Sequence, residues 1–421
     1  MDLQTAALHA GYEKDTQGTM AVPIYMSTAY EFRDVEHAAN LFALKELGNI
    51  YTRLNNPTTD VFEKRFAELE GGAAAIATSS GMSAIFFAIV NAAEAGDNIV
   101  CAKQLYGGSL TLNTHTLKRF GIESRFFDVQ NPSELEALID DKTKVIFFES
   151  LTNPSIDVAD IQAISDIANK HGVLTVVDNT VATPVLCRPF EYGADVTVHS
   201  ASKYTTGQGL AIGGIMVERN NLVEKLKANP RYPHFNEPDP SYHGLVYVDV
   251  PLPPYSLRAR LALLRDLGSV SSPFNSWLFI QGLETLSLRM KEHSKNALAL
   301  AEFLESHPKV KKVNYPGLAS NTNYKNAQKY FEDGQSSGLL SFEVDSLEEA
   351  TKIVNATKLY SLVVNIGDSK SIITHPASTT HQQLNEAELQ ACGVPAGLIR
   401  ISCGLESAKD LIADMEQALK A

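Results

Sequence analysis

From Val61 onward the chain alternates short apolar runs with longer stretches in which apolar residues recur every three or four positions. Runs near Ala73–Ala77, Asn98–Ala102, Glu123–Phe127, Val145–Glu149, Val173–Val177 and Asp195–His199 read as strands, most of them buried on both faces. Phe62–Glu70, stopped by Gly71 and Gly72, and Asp160–Lys170, ahead of His171 and Gly172, read as helices. Ile212–Val217 adds one more strand. Strands alternating with helices predict an α/β architecture, a mostly parallel sheet covered on both faces.

The flanks depart from this rhythm. Residues 1–60 lack strong periodicity and contain Pro23 and Pro57, which predicts an extended arm with one short helix near Val35–Leu47. Residues 228–256 form a proline-rich excursion with aromatics; a loop this long is either a lid or entrance wall, or a packing or oligomer contact. Pro273–Glu305 reads as one long helix, and the sole tryptophan within it, Trp277, as core. A smaller α+β part follows: strand Gly338–Val344, helix Leu347–Thr357, strand Leu398–Gly404 and a final helix from Ala408. The expected division is an arm over 1–60, a larger unit over 61–275 and a C-terminal unit over 276–421.

A chain of 421 residues needs more than one core. Its hydrophobic content of 44% and charged content of 20% are those of an ordinary globular protein. A net charge of −13 disfavours nucleic acid and anionic membranes as partners, because phosphate binding needs clustered positive charge. The four cysteines are scattered with no Cys-x-x-Cys pair, which suits reduced thiols and no metal. The first residues show no basic segment followed by an apolar core, and no apolar run approaches membrane-spanning length, so a cytoplasmic location is expected.

The polar residues at the strand ends suggest the chemistry. Asp178 closes the run Val173–Val177, and Ser200, Ser202 and Lys203 follow the run Asp195–His199. In open α/β sheets the carboxyl ends of the strands line the ligand crevice. An aspartate there can hold a pyridinium nitrogen, and a lysine can form a Schiff base with an aldehyde. Their separation in sequence, 25 residues, is one crossover between neighbouring strands. Upstream, Ser79, Ser80, Gly81, Met82 and Ser83 join a strand to a helix start, the geometry that aims backbone N–H groups at an anion. Each element alone is commonly a cap or a surface charge; together they argue for pyridoxal 5′-phosphate (PLP).

Seven segments then occur in order: Tyr51–Arg53, Ser80–Met82, Tyr106–Gly108, Glu149–Pro154, Val177–Thr180, Ser200–Lys203 and His375–His381. Together they resemble the Cys/Met-metabolism family of PLP enzymes, which holds cystathionine synthases and lyases, methionine γ-lyase and homoserine sulfhydrylases. The excursion Phe235–Gly244 and the turn Val364–Asp368 are similar to the sulfhydrylase branch, and Gly108 stands where γ-lyases usually carry cysteine.

The resemblance implies the type I PLP-dependent transferase fold and a homo-oligomer, a dimer of dimers, with each active site shared by two subunits. Ser80, Gly81, Met82, Ser200 and Ser202 would hold the phosphate, with Tyr51 and Arg53 reaching it from the partner. Tyr106 would stack on the ring and assist proton transfers, Asn153 would contact the ring hydroxyl, Asp178 would pair with the ring nitrogen, and Lys203 would carry the cofactor. Arg400 would clamp the substrate α-carboxylate, with Asn365 beside it. The implied reaction makes homocysteine from an O-acetylated homoserine and sulfide, free or delivered by a sulfur-carrier protein. γ-Elimination of methionine or cystathionine, or cystathionine synthesis, is the alternative. His375 and His381 suit structural hydrogen bonding rather than a metal.

Overall fold

The computed structural model describes residues 1–379, 382 and 393–421. Seven strands form the larger sheet: β1 (Gly72–Thr78), β2 (Asn98–Ala102), β3 (Glu123–Phe127), β4 (Thr143–Glu149), β5 (Leu174–Asp178), β6 (Val196–Ser200) and β7 (Gly214–Arg219). Their order is β1-β7-β6-β5-β4-β2-β3. β7 runs antiparallel to both its neighbours, and every other adjacent pair is parallel. β2 and β4 are buried along their whole length, which is why their sequences are continuous apolar runs rather than alternating ones. In register, Asp178 pairs with Val198 on one side and with Glu149 on the other, so three strands end together.

The smaller sheet has five strands: β8 (Lys312–Asn314), β9 (Leu339–Glu343), β10 (Ser361–Leu362), β11 (Ile372–Thr374) and β12 (Leu398–Ser402). They lie in the order β10-β11-β12-β9-β8, antiparallel except for β10 and β11. Helices Leu347–Ala356 and Ala408–Leu419 and the far half of helix Leu286–Glu305 close the core on this sheet. The expected single helix Pro273–Glu305 is two, Pro273–Glu284 and Leu286–Glu305, parted at Thr285. The second carries Met290 into the larger core and Ala297 into the smaller one, so it ties the two together. Trp277 is half-buried and stacks on the exposed Phe274, so the core expected around it is not there.

The N-terminal arm holds two short helices, Leu3–His9 and Val35–Phe42, the second capped by Asp34. Residues 228–256 are not a lid over this chain's strand ends. Tyr232, Phe235, Tyr247 and Tyr255 are fully buried, and Phe235 stacks on Tyr255. The Tyr232 hydroxyl donates to the carbonyl of Lys144 and accepts from the N–H of Leu174, both at the amino ends of their strands. The excursion is packing, on the side of the sheet away from the crevice. Among the described residues no helix is long and apolar enough to cross a membrane.

Candidate active site

A cavity of about 260 Å³ opens at the carboxyl ends of β4, β5 and β6. Ser80, Gly81, Met82, Tyr106, Asn153, Asp178, Ser200, Ser202, Lys203, Asn365 and Arg400 all line it. The fold therefore gathers eleven of the thirteen residues singled out in the sequence. Tyr51 and Arg53 stand apart in the same chain: the Arg53 Nε donates to the carbonyl of Arg265, 3.0 Å away, and its guanidinium lies 4.9 Å over the Tyr51 ring.

One end of the cavity is built for an anion. Helix Gly81–Val90 starts here, with the Ser80 hydroxyl accepting from the N–H of Ser83 at 3.1 Å. Gly81 and Met82, in its first turn, line the cavity, where the helix dipole favours negative charge. Gly81 is required by space: a Cβ there would stand 2.6 Å from Ser200 Cβ. The Ser202 hydroxyl is engaged with Gly213, accepting from its N–H at 3.0 Å and donating to its carbonyl at 3.2 Å.

The floor carries two carboxyl groups on adjacent strands. Asp178 accepts through one oxygen from the N–H and the hydroxyl of Thr180, at 3.0 and 2.6 Å. The Thr180 hydroxyl also accepts from the N–H of Ser200, so it joins the aspartate to the anion end. No partner holds the second Asp178 oxygen among the described residues, which leaves an acceptor for a ring N–H. Glu149 accepts from the N–H groups of Tyr106 and Asn153, at 2.6 and 2.9 Å, and so fixes two cavity residues by their backbones. Burial, and then the charge of Asp178, push the Glu149 carboxyl well above its usual range. Burial also raises Asp178, against the Thr180 bonds. Glu149 and Thr180 had no role assigned from sequence; each lies in a quoted segment, one pleat or one register partner away from a residue that did.

Opposite the floor, Lys203 Nζ donates to Asn365 Oδ1 at 2.6 Å. Burial and then the nearby Arg400 cation lower the Lys203 pKa, which favours a neutral, nucleophilic amine. Arg400, on β12, is buried and donates to Asn153 Oδ1 at 2.9 Å, the Asn365 carbonyl at 3.1 Å and Thr374 at 3.2 Å. Its Nε is buried with no partner among the described residues, and burial pulls its pKa down to about 10. An unpaired guanidinium N–H is what an incoming carboxylate would satisfy. His375 is held by Ser378 and by the Ala396 carbonyl, as structural hydrogen bonding predicts; His381 lies outside the described residues.

An anion cradle at a helix start, an aspartate with one open oxygen and a lysine across from it fit PLP, and on a mostly parallel sheet they define a type I PLP enzyme. The chain belongs to the Cys/Met metabolism PLP-dependent enzyme family, whose model matches residues 4–420. It is 47% identical to the O-acetyl-L-homoserine sulfhydrylase of Leptospira meyeri, over 99% of this chain and 96% of that one. The homocysteine synthase of Schizosaccharomyces pombe is also 47% identical, over 99% and 98% of the two chains. A solved structure of an O-acetylhomoserine (thiol)-lyase from Campylobacter jejuni, which carries a pyridoxyl-lysine monophosphate, superposes with a TM-score of 0.98 at 53% identity over the full length of both.

Proposed function

We propose that the protein is an O-acetyl-L-homoserine sulfhydrylase, converting O-acetyl-L-homoserine and sulfide to L-homocysteine and acetate. Full-length similarity to an O-acetyl-L-homoserine sulfhydrylase and a homocysteine synthase, joined to an intact lysine, aspartate and arginine in one cavity, carries the reading. Gly108 supports it against a γ-lyase, which usually carries cysteine there. A Cβ at that position would come 2.6 Å from the Tyr106 ring, so the ring is seated on the glycine.

Lys203 would hold the cofactor's aldehyde, Asp178 the ring nitrogen, Asn153 the ring hydroxyl, and the Ser80–Met82 turn with Ser200 the phosphate. PLP so bound supplies the electron sink that makes the proton at Cα acidic. Arg400 binds the substrate carboxylate through a planar fork and sets the orientation of Cα. Once the substrate's amine takes its place on the aldehyde, the freed Lys203 amine, kept neutral by its lowered pKa, would accept the Cα proton and return it, while Asn365 Oδ1 steers it. Tyr106 stands at the mouth and assists proton transfer. Sulfide then takes the place of acetate at Cγ.

The reading extends to a homotetramer, a dimer of dimers whose sites are shared, working in the cytoplasm within methionine biosynthesis. It also keeps the division at residues 60 and 275. Sulfide reaches the site either free or from a sulfur-carrier protein. Product analysis of the PLP-loaded protein with O-acetyl-L-homoserine tests the proposal, with Lys203→Ala as blank. Homocysteine that forms only when sulfide is added is the expected result; 2-oxobutyrate formed regardless of sulfide would make the protein a γ-lyase.

A further inference from the structure

Behind the cavity a second arginine holds the turn that carries Lys203. Arg289, on helix Leu286–Glu305, is 8% exposed. Its Nη1 donates to the Tyr204 carbonyl at 2.7 Å. Its Nη2 donates to the carbonyls of Thr205, at 3.3 Å, and Gly282, at 2.7 Å, and its Nε to the Thr285 hydroxyl. No carboxylate lies within 4.0 Å of the guanidinium among the described residues. A cation buried without a counter-ion is costly, and here only carbonyl dipoles and a hydroxyl compensate it.

The backbone has been shaped to admit this side chain. A Cβ at Gly207 would fall on Arg289 Nη1, and a Cβ at Gly282 would fall on the Thr205 carbonyl. Gly207 also has a φ of +71°, which its own turn requires. The carbonyls of Tyr204 and Thr205 take no backbone N–H among the described residues, so the guanidinium supplies the donors that the turn after β6 lacks. From the other side, Ser369 donates its N–H to the Gly207 carbonyl at 2.7 Å, and Gly367 leaves no room for a Cβ against the Tyr204 N. The residues after Lys203 are thus clasped between the helix that spans both cores and the loop that carries Asn365.

We propose that Arg289 is a positioning residue for Lys203: its fork fixes the turn so that the amine stays in reach of both the cofactor's aldehyde and the substrate's Cα. The inference rests on Lys203 as the cofactor-bearing residue. A methionine would fill the volume without any donor, and a lysine would keep the charge without the fork.

The test is a pH titration of the visible absorption of the PLP-loaded protein, with kcat and KM, for wild type, Arg289→Met, Arg289→Lys and Lys203→Ala. Lys203→Ala must lose the absorption of lysine-bound cofactor; if it kept it, the premise about Lys203 would fail, independently of Arg289. Given that loss, both Arg289 variants should bind PLP with a shifted titration midpoint. The kcat of Arg289→Met should fall by about 10²-fold at unchanged KM, the effect of roughly 1 Å of misplacement, and that of Arg289→Lys by less. Should the methionine variant not fold, the lysine variant reads the same quantities. A lowered Tm with wild-type midpoint and kcat would overturn the proposal and leave Arg289 a packing residue.

Discussion

Burial raises the carboxyl groups of Glu149, Asp178 and Glu218, yet the three do different work. Glu149 and Asp178 are register partners on β4 and β5, and their mutual repulsion favours a shared proton. The Thr180 bonds hold Asp178 down while Glu149 is pushed well above its usual range, so of the two Glu149 takes the proton more readily. Glu218, on β7, is far simpler: it accepts from the N–H groups of Tyr255 and Ser256, and burial pushes it up to about 7. Between its unfolded value of 4.5 and about 7 the native state holds a proton that the unfolded chain has released. That contribution to stability is therefore complete below pH 4.5 and is lost as pH rises to 7, by about 3 kcal/mol. Denaturant titrations across this range should show Glu218→Gln gaining on wild type by that amount as pH rises. Parallel curves would disprove the shift. Chemistry at this scale was largely legible in the sequence, since Lys203 and Asp178 stand at strand ends, while Arg400 came from the family resemblance. Glu149 and Thr180 escaped because their function is to hold backbones and neighbours, which no residue type announces.

Among the elements, the junction of β1 with helix Gly81–Val90 is the one that chemistry depends on. It meets the end of β6 so closely that Gly81 and Ser200 share van der Waals space. Gly81→Ala should therefore force the helix start away from β6. The expected loss is about 1–3 kcal/mol in stability from overpacking, with weaker retention of PLP measured by dialysis. Unchanged retention and Tm would mean that the junction can yield. The short segments between helices predicted their strands well, β2 and β3 to the residue. What periodicity could not show were β8, β10 and β11, strands of two or three residues that form by pairing: β8 on β9, β11 on β12 and β10 on β11. The interruption at Thr285 was equally hidden, because both helices it separates share one apolar pattern. It is also the place where Arg289 turns back onto the Lys203 loop.

At the scale of the whole molecule, the arm leaves Tyr51 and Arg53 outside the cavity that their own chain forms, with Tyr51 exposed. If they serve a partner's site, as proposed, Lys203→Ala and Arg53→Ala homo-oligomers should each be nearly inactive. Hybrids made by co-expression should then regain activity, because one site combines an intact lysine from one chain with an intact arginine from the other. Activity no higher than that of the two parents would return Arg53 to its own chain. By itself the sequence determined the α/β alternation, the strand ends that carry the lysine and aspartate, and the anion-binding turn. These are local properties, set by periodicity over about ten residues and by which residue ends an apolar run. It left open what residues 228–256 do, and buried aromatics at the amino ends of β4 and β5 decided that they pack. It also could not show that Asn153, Asn365 and Arg400 meet around Lys203, or that Arg289 clasps the turn behind it. Those contacts join residues some 35 to 250 positions apart, and the bonds of Lys203 to Asn365 and of Arg400 to Asn153 form only where the two cores dock.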